Sequence, residues 1–513
     1  MEDDGQAEVF AFLADPQTYE LLYPVVRIDT HSAVVFLAGL DVYKVKRAVR
    51  FPFLDQSTLE KRRKACELEV AVNQRYAPEI YYGAVPITRE GAGLGIGGEG
   101  EPVEWAVHMR RFDETRTLDH VAERGELEAP LVMRLAEVVL ATYRDAEVRD
   151  GAAATAALRG VVEETLAALA AAETYFPADE TAELAAAMTD AFDRLMPLLL
   201  DRGRRGCVRR CHGDLHLRNI TMLNGVPTPF DAIEFDEAIA SIDKLYDLAF
   251  LLMDLWEKEL PAQANLLLNR YLWGSPDLSG ELEGLAALPL FMSLRAAVRA
   301  KVEALRLAEV AHGPEAVTEA LRYFAYARRF MMPAPPRLVA IGGVSGTGKS
   351  TIAARIAPQL GRAPGAVHLR SDIERKRLFG VPEHHHLPDE AYARPVTEEV
   401  FASLRAQAAI ALAAGQSVVV DAVHRRPEER DLIARVAAAA NAPFAGIWLE
   451  APLDVATERV EARRDDASDA TAAIVAMQAA QPAGPITWTR IDAAGEVSDV
   501  VAAALAATEG RKA

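Results

Sequence analysis

The stretch Gly343-Val344-Ser345-Gly346-Thr347-Gly348-Lys349-Ser350-Thr351 decides how the second part of this chain is read. It follows a short apolar run, Arg337–Ile341, and leads into a helical pattern. Glycines let successive backbone N–H groups curl around phosphate oxygens, and a helix start adds positive dipole. At the end of the loop Lys349 reaches the β- and γ-phosphates, and the Ser350 hydroxyl suits Mg²⁺. A plain glycine turn between strand and helix has no need of Gly-Lys-Ser at its end. The stretch therefore predicts a nucleotide site formed by Gly343, Ser345, Gly346, Thr347, Gly348, Lys349, Ser350 and Thr351.

Outward from the loop, Val418–Asp421 reads as a buried strand ending in a carboxylate, suited to the Mg²⁺ shell. A short strand, Ala366–Leu369, is followed by Ser371-Asp372-Ile373-Glu374-Arg375. That order puts Asp372 at a strand's carboxyl end, the crevice where α/β sheets bind ligands. Asp372 can there take the proton of an attacking hydroxyl, or cap the following helix. Arg459, Arg463 and Arg464 fall on one helical pattern, before Asp465-Asp466-Ala467-Ser468-Asp469. Arginines so placed either close over a transferred phosphoryl group or form a solvated face. Strands and Ala-rich helices alternate beyond Pro336, which implies a parallel sheet with crossover helices. On the loop, the Ser-Asp-x-x-Arg run, the strand ending at Asp421 and the arginines, residues 337 to 511 resemble the small P-loop kinases. These include gluconate kinase, the kinase domain of polynucleotide kinase, and zeta-toxin-type sugar-nucleotide kinases. The resemblance implies a general base at Asp372 and a substrate-phosphate contact at Arg375.

Upstream, Met331-Met332-Pro333-Ala334-Pro335-Pro336 cannot continue a helix, so the division is placed as 1–332 and 333–513. Residues 150 to 330 carry helical periodicity. Ala33–Leu37, Asp41–Ala48 and Glu104–Arg110 alternate as strands. Ser57 with Glu60 reads as a capping box opening a helix through Glu67 and Glu69. Gly93-Leu94-Gly95-Ile96-Gly97-Gly98 satisfies a dinucleotide pattern but lies between two strands and opens no helix, so it reads as a hairpin loop.

The informative run of this first part is Cys211-His212-Gly213-Asp214-Leu215-His216-Leu217-Arg218-Asn219-Ile220. A turn at Asn224-Gly225 follows, then a strand read over Pro229–Phe235 carrying Asp231 and Glu234. A kinase needs an Asp for the acceptor hydroxyl, an Asn five residues on for Mg²⁺, and a hairpin delivering a further acid. His212, Asp214 and Asn219 meet that layout. Residues 25 to 330 thus resemble the aminoglycoside phosphotransferase and choline kinase group, with a protein-kinase-like fold. The resemblance implies Asp214 as base, Asn219 as metal ligand, and Asp231 or Glu234 as the second ligand. It also implies a strand lysine, Lys44 or Lys46, paired with Glu67 or Glu69, and an adenine-contacting hinge over Val107–Arg111 that includes Met109. Asp243 and Asp247 take the family's structural pair.

Composition agrees with an enzyme of this build. At 513 residues the chain exceeds one core, and 50% hydrophobic residues supply material for two. The net charge of −19 opposes a nucleic-acid backbone or an anionic membrane. No apolar run approaches a membrane span, the first thirty residues lack a leader pattern, and Cys66, Cys207 and Cys211 fit a reducing compartment. The expectation is a cytoplasmic α/β and α+β protein with a kinase-like first domain and a P-loop second domain. Each would use ATP and Mg²⁺ to phosphorylate a hydroxyl of a small polar metabolite such as a sugar, aminoglycoside or amino alcohol. The alternative is one active P-loop kinase with a nucleotide-gated first half.

Overall fold

Alternation decides the first sheet. Val34, Phe36, Tyr43 and Val45 point to one face, where they bury against Val9, Phe10 and Leu13. Lys44 and Lys46 therefore point to the other. That face receives the helix Leu59–Asn73, whose Cys66 and Val70 pack with Ile80, Tyr81 and Val107. The computed structural model describes residues 4–51, 54–309, 314–462 and 467–509. They divide into two compact units, Met1–Val161 with Leu200–Asp254, and Val162–Leu199 with Leu255–Ala513.

In the first unit the sheet runs Val26–Asp29, Ala33–Ala38, Asp41–Lys46, Glu101–Arg110, Tyr81–Glu90 and Gly93–Ile96, all antiparallel. This is the kinase-like lobe expected from the sequence. Three local readings change. The helix is capped by Thr58, whose hydroxyl accepts from Lys61 N at 3.3 Å, in place of Ser57. The glycine-rich stretch is not a loop, because Gly93–Ile96 pairs as an edge strand. The strand read over Pro229–Phe235 ends at Pro229.

The second unit holds a five-stranded parallel sheet ordered Val367–Arg370, Val418–Asp421, Leu338–Gly342, Phe444–Glu450 and Thr489–Asp492. Val339, Ile341, Val419, Ile447 and Leu449 bury against Ile352 and Ile356 of the helix Lys349–Ile356. Sheet and helix thus form the P-loop layer predicted from the alternation. Among the described residues no helix is long and apolar enough to cross a membrane.

Val367–Arg370 is an edge strand, and an open edge leaves backbone groups to be satisfied. The helix Pro261–Gly274 supplies the partners. Asn269 accepts from His368 N at 2.7 Å and donates to Ala366 O at 3.2 Å; Asn265 donates to Ala366 O at 3.0 Å, and Trp273 Nε1 to His368 O at 2.9 Å. These bonds bring helices upstream of the proline stretch into one unit with the P-loop sheet. The compact units consequently cross the 332/333 division, which follows sequence character rather than contact. Asn269→Ala leaves a buried N–H unpaired, a loss of about 1–3 kcal/mol. It is expected to lower the melting temperature of the full chain by about 2–4 °C per kcal/mol, read by calorimetry.

Candidate functional site

In the first unit, Gly213 adopts φ +85°, and its N–H donates to Asp247 Oδ1 at 2.9 Å. A Cβ there would approach Ile233 Cδ1 to 3.2 Å, so glycine suits both the space and the angle. Asp247 is held in turn by Tyr143 OH at 3.0 Å. Asp243 is clamped by the buried Arg202 at 2.7 and 2.8 Å, so both acids of the expected pair act structurally. Asp254 fixes the other end of the loop by accepting from Leu217 N at 2.8 Å.

Held between these anchors, Asp214 receives Asn219 Nδ2 on Oδ2 at 2.9 Å, with His216 Nε2 3.4 Å away. His212 is buried, which pushes its pKa down, and its Nε2 lies 3.0 Å from Phe230 O. A neutral His212 thus ties this loop to the chain just before Asp231. The Asn224-Gly225 turn forms as read, with φ of 51° and 81° between the strands Ile220–Leu223 and Val226–Pro229. Beyond Pro229 the chain turns sharply. Asp231 takes φ +58°, held by Tyr81 OH on its N–H at 3.1 Å and by Asn73 on Ala232 N at 2.7 Å.

Asp231 and Glu234 each receive one lysine. Lys44 Nζ lies 2.8 Å from Glu69 Oε1 and 3.1 Å from Asp231 Oδ1, while Lys46 Nζ lies 2.5 Å from Glu69 Oε2 and 2.7 Å from Glu234 Oε1. Burial works to lower both lysine pKa values, but the carboxylates outweigh it and hold them above their usual range. Glu69, not Glu67, is the helix partner, since Glu67 faces outward toward Arg63. Asp231 is half exposed and Glu234 is buried, so Asp231 is the acid presented outward and Glu234 the one held inside. Glu69→Gln removes the charge shared by two buried ammonium groups. It is expected to cost about 3–5 kcal/mol, measured by urea unfolding. Met109 sits within the strand Glu101–Arg110. The open pocket beside the strand's end is lined instead by Arg111, Phe112 and Asp113, with Val26, Ile28 and Leu37.

In the second unit the loop after Leu338–Gly342 takes the tight path its glycines allow. Gly346 has φ +86°, and a Cβ on it would meet Ala456 O at 2.2 Å. Gly343 is equally closed in, against Leu449 O. A cavity of about 340 Å³ is lined by Gly346, Thr347, Gly348, Ser350, Thr351 and Arg459. Arg459 is fixed by donating to Ala493 O at 2.8 Å. Its helix is Leu453–Glu461, and Arg463 and Arg464 lie outside the described residues.

A second cavity, also about 340 Å³, shares Ser345, Lys349 and Ser350 with the loop and reaches Asp372, Arg375 and Asp421. Asp372 is the second residue of the helix Ser371–Leu378, whose cap is Arg370, so its carboxyl is not used as a cap. Burial raises its pKa, a change that Arg370 and Lys349 oppose. At Asp421, burial is outweighed by His368, Arg370 and Lys349, which hold the carboxylate below its usual range. Ser350 and Asp421 supply to this cavity hard oxygen donors of the kind Mg²⁺ takes, and Asn219 and Asp231 carry such oxygens in the first unit. The sequence reading missed Gln478, whose Oε1 accepts from Ser345 N at 2.8 Å, and Asn73. Neither carries a local signal, because each acts on a segment far away in the chain.

Known proteins resemble different parts of this chain. An AAA domain model matches residues 338–485. Among solved structures, a gluconokinase from Sinorhizobium meliloti 1021 is 24% identical with a TM-score of 0.25, covering 35% of this chain and 94% of that one. A choline/ethanolamine kinase family protein from Mesorhizobium loti is 14% identical with a TM-score of 0.38, covering 64% and 95%. An uncharacterized protein of Mycobacterium tuberculosis (strain H37Rv) is 32% identical over 476 residues, 91% of this chain and 92% of its own length. A Mycobacterium bovis protein matches with the same figures. At that identity over nearly the whole of both chains, the chain belongs to the family of these mycobacterial proteins.

Proposed function

We propose that the chain is a bifunctional phosphotransferase, in which each unit moves the γ-phosphoryl group of ATP to a hydroxyl of a small polar metabolite. The reading is supported by Lys44 bound to Glu69 and Asp231 and Asp214 bound to Asn219 in the first unit, and by one cavity lined by Lys349, Ser350, Asp372 and Asp421 in the second. Sugars, aminoglycosides and amino alcohols are the acceptor classes considered.

At the P-loop site Lys349 steadies the β- and γ-phosphates, and Arg459 lies beside the loop. Asp372 takes the hydroxyl proton as the acceptor oxygen bonds to phosphorus and the bond to ADP breaks; Arg375 orients the acceptor. In the first unit Lys44 addresses the phosphates, Lys46 with Glu234 braces the Asp231 turn, and Asp214 takes the proton. Mg²⁺, held by Ser350 with Asp421 and by Asn219 with Asp231, would neutralise charge on the triphosphate.

Calorimetric titration of the full chain with a non-hydrolysable ATP analogue and Mg²⁺ is expected to fit two sites. One should be lost with Lys349→Ala and the other with Lys44→Ala. A single site, removed by Lys349→Ala alone, would instead favour one active P-loop kinase with a regulatory first half.

A further inference from the structure

One backbone N–H of the phosphate loop is already engaged by a side chain from far along the chain. Ser345 N donates to Gln478 Oε1 at 2.8 Å. A backbone N–H only donates, so it is the amide oxygen of Gln478 that meets the loop. Gln478 belongs to the helix Ala472–Ala480, whose start Thr471 caps by accepting from Ile474 N at 3.5 Å. Val475 of that helix is buried with Ala456 and Val460, and Val344 of the loop packs against them. A packed helix therefore presents Gln478 to the loop.

The place of this bond decides what it does. The cavity formed by Gly346, Thr347, Gly348 and Arg459 is not lined by Ser345. The second cavity is lined by Ser345 together with Lys349, Asp372 and Asp421, and Ile474, Met477 and Gln478 close it from the helix. Ser350 lines both, so a triphosphate laid along the loop passes from the first cavity into the second beside it. Its last phosphoryl group then falls on the Ser345 side, with Lys349 and facing Asp372. A diphosphate ends before that point. The segment carrying Gln478 meets Asp372 as well, because Ser468 hydrogen-bonds its carboxyl. A single N–H serves one acceptor well, and a charged phosphate oxygen makes a stronger bond than a neutral amide oxygen.

We propose that Gln478 distinguishes triphosphate from diphosphate at the P-loop site, by holding the Ser345 amide until a γ-phosphate takes it. The helix that lines the acceptor cavity is thereby tied to the presence of a transferable phosphoryl group. The proposal rests on the phosphotransferase reading of this site and deepens it.

The test is calorimetric titration of full chains carrying Lys44→Ala, so that the P-loop site alone reports, with Mg²⁺ and either ADP or a non-hydrolysable ATP analogue. Gln478→Ala removes the competitor and keeps the helix, since alanine is the best helix former. It should tighten the analogue about three- to tenfold, the net worth of one neutral hydrogen bond, and change ADP by less than about twofold. Gln478→Glu sets a carboxylate on the same amide, where it repels the incoming phosphate. The analogue should then weaken at least about tenfold and ADP far less. Amide exchange across Ala472–Ala480 should quicken with the analogue and not with ADP. Weaker analogue binding by Gln478→Ala would make Gln478 a phosphate ligand and overturn the proposal. Equal shifts for the two nucleotides, an unmoved analogue affinity in either variant, or equal exchange under both would also overturn it. Binding of neither nucleotide, or binding that survives Lys349→Ala, sinks the phosphotransferase reading of this site and the proposal with it.

Discussion

Replacing Lys349 by alanine is expected to remove turnover at the P-loop site while leaving the chain folded. Lys349 begins the helix Lys349–Ile356, and its Nζ donates to Val344 O at 3.0 Å, so the ammonium lies back over the loop. Nothing in the apolar core depends on it, and the helix retains a good helix former at that position. The loss is electrostatic. A fixed cation aimed at charge that develops on the phosphoryl group is worth about 10²–10³ in rate, by analogy with other preorganised donors. Lys349 also lowers the pKa of Asp372 and of Asp421. Without it both carboxylates hold protons more readily. Asp372 works only when deprotonated, so the acid limb of any residual rate should move to higher pH. ADP release across a pH series, in chains also carrying Asp214→Asn, checks both effects. Turnover within about tenfold of the parent, with an unmoved acid limb, would mean that the loop does not hold the reacting phosphates.

The nine-residue loop was legible because its function is written in consecutive residues, and the sheet around it because Val418–Asp421 and Leu338–Gly342 are continuous apolar runs. Other positions needed a phase that sequence does not carry. Glu67 and Glu69 are two residues apart on a helix, hence on nearly opposite faces, and only the packing of Cys66 and Val70 decides which one meets the lysines. The strand read over Pro229–Phe235 runs on through Asp231. The left-handed turn there is imposed by Asn73 and Tyr81, about 150 residues earlier in the chain. The closing of the edge strand by Asn265, Asn269 and Trp273 is likewise long-range, and no local pattern announces it. Lys44 and Lys46 stayed ambiguous for a different reason. Both lie on one face of one strand and both meet Glu69, so alternation along the strand does not separate them.

Asp214→Asn is expected to silence the first unit without altering its shape. Asparagine has nearly the volume of aspartate, and its side-chain oxygen can still accept from Asn219 Nδ2, which now donates at 2.9 Å. The anchors at Gly213, Leu217 and the Tyr143–Asp247 pair are unaffected, because none of them uses the Asp214 carboxylate. What is lost is the capacity to take a proton, a contribution of about 10²–10⁴ in rate for a positioned general base. Binding of an ATP analogue should persist, since Lys44, Glu69 and Asp231 remain in place. The measurement is ADP release with a panel of hydroxyl compounds in chains carrying Lys349→Ala, so that only the first unit reports. A fall in kcat with an unchanged analogue affinity assigns Asp214 to the proton. If kcat holds while affinity falls, Asp214 instead serves the nucleotide, and the proton must leave by another group. His216, 3.4 Å from the same carboxylate, is the group within reach to take it.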